Sequence, residues 1–535
     1  ITAPSSSHSV RGQEIIERPA PSPVEHLRSS PGVDIGTLGL QSSNVVVRGF
    51  NNIFSGALHL LSDYRLVGLP ALRVNYLHFL PSGDEDIERI EVVLGPGSAL
   101  YGPNTANGVV HLIQRSPLEE AGTTASLGIG ERSTTEAAFR SAHRVSDQLA
   151  VKLSGHFYRG REWPHVDSTE ARAALDAQAD FAGCVADREL RGLSTEEAEA
   201  ACSRIGIRDN DLRRYGLEGR ADWRFSPRGT LVGTYGVSGV SGIELTGLGA
   251  AQIQDWLTQV VQGRFTYDRW AIQGYANFND AGDAFLLRDG MPLFDRSKLS
   301  VLQLQNGFSL ARGRQDFTYG FDYFSTRPVS RGTIYGDFEG ENSIREWGIY
   351  LQSRTALSSQ IDLIAAGRLD SHSILPDRVF SPRLALVVQP NDGHAFRVAY
   401  NRAFSTPTAL NHFLDLGAGF AGGDLGELGY STRAFGTGRD GVVWQNPDGS
   451  LRGMRSPFNS AGPGQLLPVD QPTLWRMGLE ATQNASPLPP DVLAVLERLQ
   501  PGESDVDILY LDVNSGSDAP EPLSALSLPD LPPLR

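Results

Sequence analysis

Residues 86–116 read DIERIEVVLGPGSALYGPNTANGVVHLIQRS. A charged segment, Asp86-Ile87-Glu88-Arg89-Ile90-Glu91, runs into the apolar stretch Val92-Val93-Leu94 and breaks at Gly95-Pro96-Gly97. Ser98-Ala99-Leu100-Tyr101-Gly102 and a small-residue turn through Asn104 and Asn107-Gly108 follow, then a second apolar run, Val109 to Ile113. Glycine and asparagine tolerate positive φ and proline fixes φ, so both breaks are turn formers. The local physics predicts strand, crossover, strand.

The spelling of this stretch closely resembles the end of the plug domain in TonB-dependent outer-membrane transporters. That family writes (D/I)ER(I)EV, then GPxSxLYG, then a GGVINI-type strand. Leu94 stands where the family often has a basic residue, so no plug-to-wall salt bridge is expected from that position.

Outward from there, Ser30-Pro31-Gly32-Val33 resembles the family's LPGV helix exit. The helix-start signal Ser22-Pro23, with apolar positions at Val24 and Leu27, precedes it. Asn44-Val45-Val46-Val47-Arg48-Gly49-Phe50 resembles the family's IRGF strand, with a ligand-facing loop after it at Asn51-Asn52-Ile53-Phe54-Ser55-Gly56. Asp63 resembles the family's Asp-Gly turn, with Tyr64 replacing the glycine. Ile1-Thr2-Ala3-Pro4 resembles the tail of a VVTA segment, which puts the TonB box upstream of Ile1.

The resemblance implies that Arg48, Asn51, Asn52 and Phe54 contact substrate at the plug apex. It also implies that Arg48 is buried and paired with plug or barrel-wall carboxylates, with Glu88 and Glu91 as candidate partners; a solvated charge at the strand end is the alternative. Arg48, Glu88, Arg89 and Glu91 are thereby the expected polar contacts between plug and barrel. Burying Arg48 without a partner would cost several kcal/mol, on the order of the penalty for any lone buried ion.

Past Pro117 the hydrophobic period changes to two. Tyr215, Leu217, Gly219, Ala221, Trp223 and Phe225 fall on one face; Gly216, Glu218, Arg220, Asp222 and Arg224 fall on the other. Phe317, Tyr319, Phe321 and Tyr323 alternate with Asp316, Thr318, Gly320 and Asp322, and Leu149–Phe157 behaves likewise. Successive strand side chains point to opposite faces, so each segment has one apolar and one polar face. A soluble sandwich alternates too. Strands of about ten residues and aromatics at strand ends (Trp223/Phe225, Tyr267/Trp270, Trp347/Tyr350) favour lipid.

Turns alternate in length. Short ones fall at 145–147, 226–229, 268–269, 312–313, 358–359 and 391–393. Long ones fall at about 160–211, 239–254, 280–299, 327–343, 371–379 and 405–470, the outer-membrane barrel pattern with short turns periplasmic. About thirteen strands are legible between 122 and 404, where plugged transporters have about 22. Asn401-Arg402-Ala403-Phe404-Ser405-Thr406-Pro407-Thr408 resembles the family's NRAFxxPT strand exit. The expected fold is therefore a small mixed α/β plug domain, 1–117, inside a large antiparallel transmembrane β-barrel. That barrel is partial over 118–535, with 405–535 largely loop, and the remaining strands are expected beyond Arg535.

The net charge of −15 argues against a nucleic-acid partner. No run of about 18 apolar residues is present to form a spanning helix, which leaves barrel strands open. The chain has only two lysines, Lys152 and Lys298; a compositional bias of the source genome accounts for them. Cys184 and Cys202 fit no metal spacing. Two readings stand: unrelated buried thiols, or a disulfide closing a surface loop in an oxidising compartment. Their shared place in one polar insertion favours the disulfide.

Gly417-Ala418-Gly419-Phe420-Ala421-Gly422 matches G-x-G-x-x-G without the flanking strand, helix and acidic residue of a dinucleotide site, and reads as flexible loop. Asp512–Asp518 spaces oxygens like a calcium loop but lacks the later bidentate Glu, and reads as a solvated acidic turn. The eleven histidines are scattered. No zinc or G-x-S-x-G motif occurs, so no catalytic residue, metal or cofactor is expected. The resemblance implies TonB-dependent uptake of a scarce nutrient, a ferric siderophore, cobalamin or similar, across the bacterial outer membrane. The implied partners are TonB with ExbB/ExbD, outer-membrane lipid and lipopolysaccharide, and the nutrient. The plug is expected to be held by polar contacts and not by a dry apolar interface. A non-transporting receptor or adhesin on the same scaffold, or a soluble β-rich enzyme, are the alternatives.

Overall fold

The computed structural model describes residues 6–18, 20–49, 58–246, 249–391, 393–420 and 431–438, with short pieces beyond 453. Its contacts define two units, one of 1–416 with 435–439, the other of 417–434 with 440–535. Among the described residues of the second unit, Pro490–Arg498 is helical. Asp512–Asp518 lies outside the described residues. Asp415–Phe420 is a strand, where a flexible loop is expected; Ala421 and Gly422 lie outside the described residues.

The N-terminal part of the first unit is built on strands β1 (Ser6–Arg11), β2 (Val33–Thr37), β3 (Ser43–Val47), β4 (Leu58–Ser62), β5 (Arg65–Leu66), β6 (Ile87–Leu94) and β7 (Gly108–Gln114). Five of them form one mixed sheet in the order β1-β6-β7-β4-β5, with β4 and β7 parallel; β2 and β3 form a separate hairpin. The quoted stretch is β6, crossover and β7. Gly95 (φ 91°) and Gly102 (φ 83°) take the left-handed region the crossover needs. Gly95 N donates to Asn107 O at 2.8 Å and Gly97 N to Thr105 O at 2.9 Å, closing the loop around the single helical turn Ser98–Tyr101. At Gly108 a Cβ would sit 2.3 Å from Val93 O, so only glycine lets the two strands approach there. Ile87, Ile90 and Val92 on β6 bury fully against Val10, Ile15, Leu27, Leu60 and Val110. Each such side chain contributes about 1.5–3 kcal/mol. The expected helix after Ser22 is a 3-10 helix, Pro23–Ser29, that buries Val24 and Leu27.

The remainder is an antiparallel wall. Its strands are β8 (Gly122–Ile129), β9 (Thr135–Arg144), β10 (Leu149–Arg161), β11 (Asp211–Ser226), β12 (Gly229–Thr246), β13 (Gly249–Tyr267), β14 (Trp270–Asp280), β15 (Phe285–Leu286), β16 (Lys298–Leu310), β17 (Gln315–Arg327), β18 (Ile344–Ala356), β19 (Ile361–His372), β20 (Val379–Asn391) and β21 (His394–Asn401). Each pairs with its neighbour in sequence, except that β14 pairs with β16 and the short β15 lies on β13; the sheet is open between β8 and β21. The wall curves round the plug. Ser126 on β8 bonds Glu85 of the plug, and Arg397 on β21 reaches Ser6 at 3.4 Å.

Burial on the wall is inverted relative to a soluble sandwich. Leu217, Tyr235, Val261, Ile349 and Leu351 point outward and are exposed, whereas Lys152, Arg220, Asp222, Asp322 and Arg368 point inward and are buried. An apolar outside with a polar inside is the signature of a membrane barrel. Phe225 stacks with Phe265 at 5.6 Å and meets Trp223 at 5.9 Å, the start of an interfacial aromatic girdle at the short-turn end. Two expectations fail. Residues 239–254, expected as a loop, continue β12 and β13 as one long hairpin paired out to Thr246↔Gly249, with a bulge after Val240. Tyr350, expected outside with Trp347, faces the lumen and donates to Gln305 Oε1 at 2.9 Å; position 350 is on the lumen side of the alternation.

Candidate functional site

The seam between plug and wall carries the charge. Asp86, at the end of a single 3-10 turn just before β6, is wholly buried. Its Oδ1 accepts from Arg140 Nε at 3.0 Å, and its Oδ2 from Lys152 Nζ at 2.6 Å and Ser154 Oγ at 3.2 Å. Lys152 and Ser154 reach it because alternate residues of β10 face the lumen. Lys152 also donates to Gln114 Oε1 and Arg115 O, which completes its three donor sites.

Asp63 and Tyr64 form the turn between β4 and β5 with φ of 44° and 69°. Non-glycine residues rarely take this region, and the surroundings hold them there. Arg220 Nη1 donates to Asp63 Oδ2 at 2.6 Å, Gln262 Nε2 to Asp63 O at 2.9 Å, and Gln273 Nε2 to Tyr64 O at 2.8 Å. Tyr64 N donates to His111 Nε2 at 3.0 Å, which requires an unprotonated ring nitrogen. Burial pushes the His111 imidazole down to about 4, in keeping with that role.

A polar belt continues round the lumen from this turn. Gln262 donates to Gln273 (3.1 Å), Gln273 to Gln303 (3.0 Å) and Gln303 to Asp322 (3.1 Å). Arg368 closes the row on Asp322 at 2.5 Å and Asp370 at 2.8 Å.

Toward the long loops, Arg73 donates to Glu346 at 2.9 Å and to Thr406 Oγ1 at 2.8 Å. Thr406 N donates to Asn104 Oδ1 at 2.8 Å. His78 pairs with Glu244 at 2.8 Å, and Ser42 donates to the same carboxylate. Burial, with the Arg73 guanidinium nearby, holds His59 down to about 3. Beside these contacts Leu69, Val74, Tyr76 and Phe79 of the plug pack on Val240, Ala251, Ile253 and Trp256 of the long hairpin. The expectation of a wholly polar interface is thus corrected. One sector is dry, because the hairpin extends far enough to offer the plug an apolar face.

The sequence-named residues fall elsewhere. Arg48 (φ 49°) is exposed and makes no ion pair among the described residues, so its expected buried pairing with Glu88 and Glu91 does not form. Both carboxylates are taken by Arg89, with Glu91 at 2.8 Å. All three side chains are more than a third exposed and tie β6 to itself, not to the wall. Asn51, Asn52 and Phe54 lie outside the described residues. The wall contacts come instead from Asp63, Arg73 and Asp86. The available signal was the charge at mid-strand on lumen faces, Lys152 and Arg220, whose counter-charges Asp86 and Asp63 come from the domain filling the lumen.

Cys184 and Cys202 are joined, with Cα atoms 6.1 Å apart. They link the helices Phe181–Leu190 and Thr195–Ser203 of the loop between β10 and β11. Arg191 and Asp289 at 3.0 Å, and Arg204 stacked over Phe285 at 4.3 Å, fasten that loop to the segment between β14 and β16.

A small mixed sheet, fixed by ionic and apolar contacts inside an antiparallel wall with an apolar exterior, defines a plugged β-barrel of outer-membrane type. Residues 1–109 match the TonB-dependent receptor plug domain, and 203–451 match the TonB dependent receptor-like β-barrel. The chain belongs to the TonB-dependent receptor family. It is 35% identical over 147 residues to the vitamin B12 transporter BtuB of Vibrio vulnificus, covering 27% of this chain and 23% of that protein. It is 29% identical over 164 residues to the ferrioxamine B receptor of Salmonella typhimurium, covering 29% and 22%. In fold it resembles the siderophore receptor PirA from Pseudomonas aeruginosa (TM-score 0.52, 18% identity, 77% of this chain and 66% of that one). It also resembles the ferric enterobactin receptor PfeA from the same organism (TM-score 0.55, 16% identity, 82% and 68%). The matches span about a quarter of the length of these curated relatives and about two thirds of the solved chains.

Proposed function

We propose that this chain serves TonB-dependent uptake of a scarce chelate or vitamin, a ferric siderophore or a cobalamin-like ligand, across the outer membrane of a Gram-negative bacterium. The observation that carries the reading is the seam itself. A folded domain occupies the lumen, and among the described residues it is tied to the wall only by contacts that can break and reform. Family membership supports the energy source: TonB, with ExbB/ExbD, pulling on the N-terminal side of the plug. The curated relatives carry vitamin B12 or ferrioxamine B in their names, which supports the substrate class. In this reading residues 1–117 are the plug and those from 118 onward form the wall, set in outer-membrane lipid and lipopolysaccharide. The exposed Arg48, with Asn51, Asn52 and Phe54, contacts the ligand.

The test is growth of a strain lacking this protein on single ferric siderophores or cobalamin as the limiting nutrient, with and without TonB. Loss of growth on one source in both backgrounds is the expected result. Binding of a ligand with TonB-independent growth would favour a non-transporting receptor.

A further inference from the structure

Three cavities lie along one face of the lumen. The uppermost, about 70 Å3, is lined by Leu69, Pro70, Arg73 and Asn104 of the plug and by Leu299 and Glu346 of the wall. Beside it is a space of about 10 Å3 between Pro103 and Arg368. Below is a chamber of about 700 Å3, bounded by Tyr64 and Tyr101 of the plug and by Arg264, Gln273, Gln303 and Asp322 of the wall. That volume falls in the range of about 300–1,000 Å3 typical of small-molecule sites. Arg224 and Thr266, close to the short turns, also line the chamber, so it extends toward that side.

The upper cavity and the chamber share only His59, Leu66 and Phe324, and Phe324 alone borders all three spaces. Position 324 lies on the lumen side of the β17 alternation, where Asp322 and Thr326 are its neighbours, so an aromatic ring stands on an otherwise polar face. Phe324 and Leu66 pack on Tyr275, Leu299 and Val301 to make an apolar collar. Directly beneath is the glutamine row 262-273-303.

Leu66 is held by the wall and not by a deep place in the plug. Its N donates to Tyr275 Oη at 3.3 Å, and its O accepts from Asn277 Nδ2 at 2.7 Å. It belongs to β5, a two-residue strand at the edge of the plug sheet with two paired positions. Each of those hydrogen bonds is worth about 1 kcal/mol net, so releasing Leu66 from the wall costs far less than removing the five-stranded sheet.

We propose that substrate crosses the seam along the β11–β18 face of the lumen, through a constriction formed by Phe324 and Leu66, opened by displacement of β5 while the rest of the plug sheet stays in place. This rests on the uptake reading. The amide row below the collar then offers the substrate neutral donors and acceptors as it leaves the apolar ring.

Two measurements on the full-length protein test the route. In planar bilayers the wild type is expected to stay closed, and Leu66→Ala/Phe324→Ala to show a steady ion current without TonB. Trp256→Ala, which trims the apolar contact off this line, is expected to stay closed. A folded double variant with no current, or a current in Trp256→Ala, overturns the route. Second, Gln303→Cys places a free thiol in a stretch whose two native cysteines, Cys184 and Cys202, are joined. Coupling a bulky maleimide to it is expected to abolish uptake and leave ligand affinity at the cell surface unchanged. Undiminished uptake by the coupled protein sinks the route and leaves the uptake reading intact. Absence of uptake in the unmodified wild type sinks the uptake reading, while the bilayer result still judges the constriction.

Discussion

Asp86 Oδ2 accepts a 2.6 Å hydrogen bond from Lys152 Nζ across 66 residues of sequence, and neither side chain retains contact with solvent. With Arg140 on its other oxygen, this carboxylate faces two cations and is the ionic centre of the plug's attachment.

The partners in this cluster are not equivalent. Lys152→Met leaves Asp86 with Arg140, whereas Asp86→Ala leaves two buried cations facing each other. Removing one partner of a buried pair costs about 3–5 kcal/mol. Asp86→Ala is therefore expected to destabilise the plug by that order and Lys152→Met by clearly less. Hydrogen exchange of the β6 and β7 amides measures both; equal effects would refute the hub role of Asp86.

Acid is expected to loosen the plug. His59 and His111 sit at about 3 and about 4 in the folded protein against 6.5 ordinarily, because burial disfavours the charged ring. The unfolded chain therefore binds more protons, so their stabilisation is complete above pH 6.5 and is lost as pH falls toward 4 and 3. At pH 5 the loss is about 2 kcal/mol per ring, from about 1.4 kcal/mol per pH unit. Protease accessibility of the plug between pH 7 and 5 reads it, and His59→Gln should flatten the profile.

The loop after β14 should behave oppositely. Burial pushes the Asp295 carboxyl up to about 7 from 3.8, and Asn279 Nδ2 donates to it at 2.8 Å. Here the folded state binds the extra proton, so this stabilisation is complete below pH 3.8 and disappears as pH rises through 7. Amide exchange in 281–297 is expected to be slower at pH 5.5 than at pH 8 after correction for intrinsic rates. Asp295→Asn should remove the difference.

Opening the Cys184–Cys202 bridge should act locally. It closes a segment with sequence separation 18. The chain-entropy cost of losing such a closure is about 3 kcal/mol. Cys184→Ser/Cys202→Ser is expected to speed proteolytic nicking within 162–210 and leave the thermal unfolding of the wall unchanged. A lowered wall transition would show that the loop braces the barrel.

The alternation of side chains exposed every wall strand except the two-residue β15, since a period of two is a local consequence of extended backbone and takes several residues to read. It broke down at 239–254. Gly239, Gly242 and Gly249 read as punctuation there, yet each strand of the hairpin is held extended by the other. Motif resemblance likewise placed Arg48 at the end of β3 but not its partner. Position along a strand does not decide whether a guanidinium points into the seam or into solvent.

The sequence by itself determined the plug-type crossover at 95–108 and the apolar-out, polar-in wall, because turn chemistry and strand period are written in neighbouring residues. Only the tertiary structure decided which charges meet. Asp63 with Arg220 and Arg73 with Glu346 are 157 and 273 residues apart. The energy of an ion pair depends on separation in space and on shared burial, and neither exists until the wall has folded round the plug.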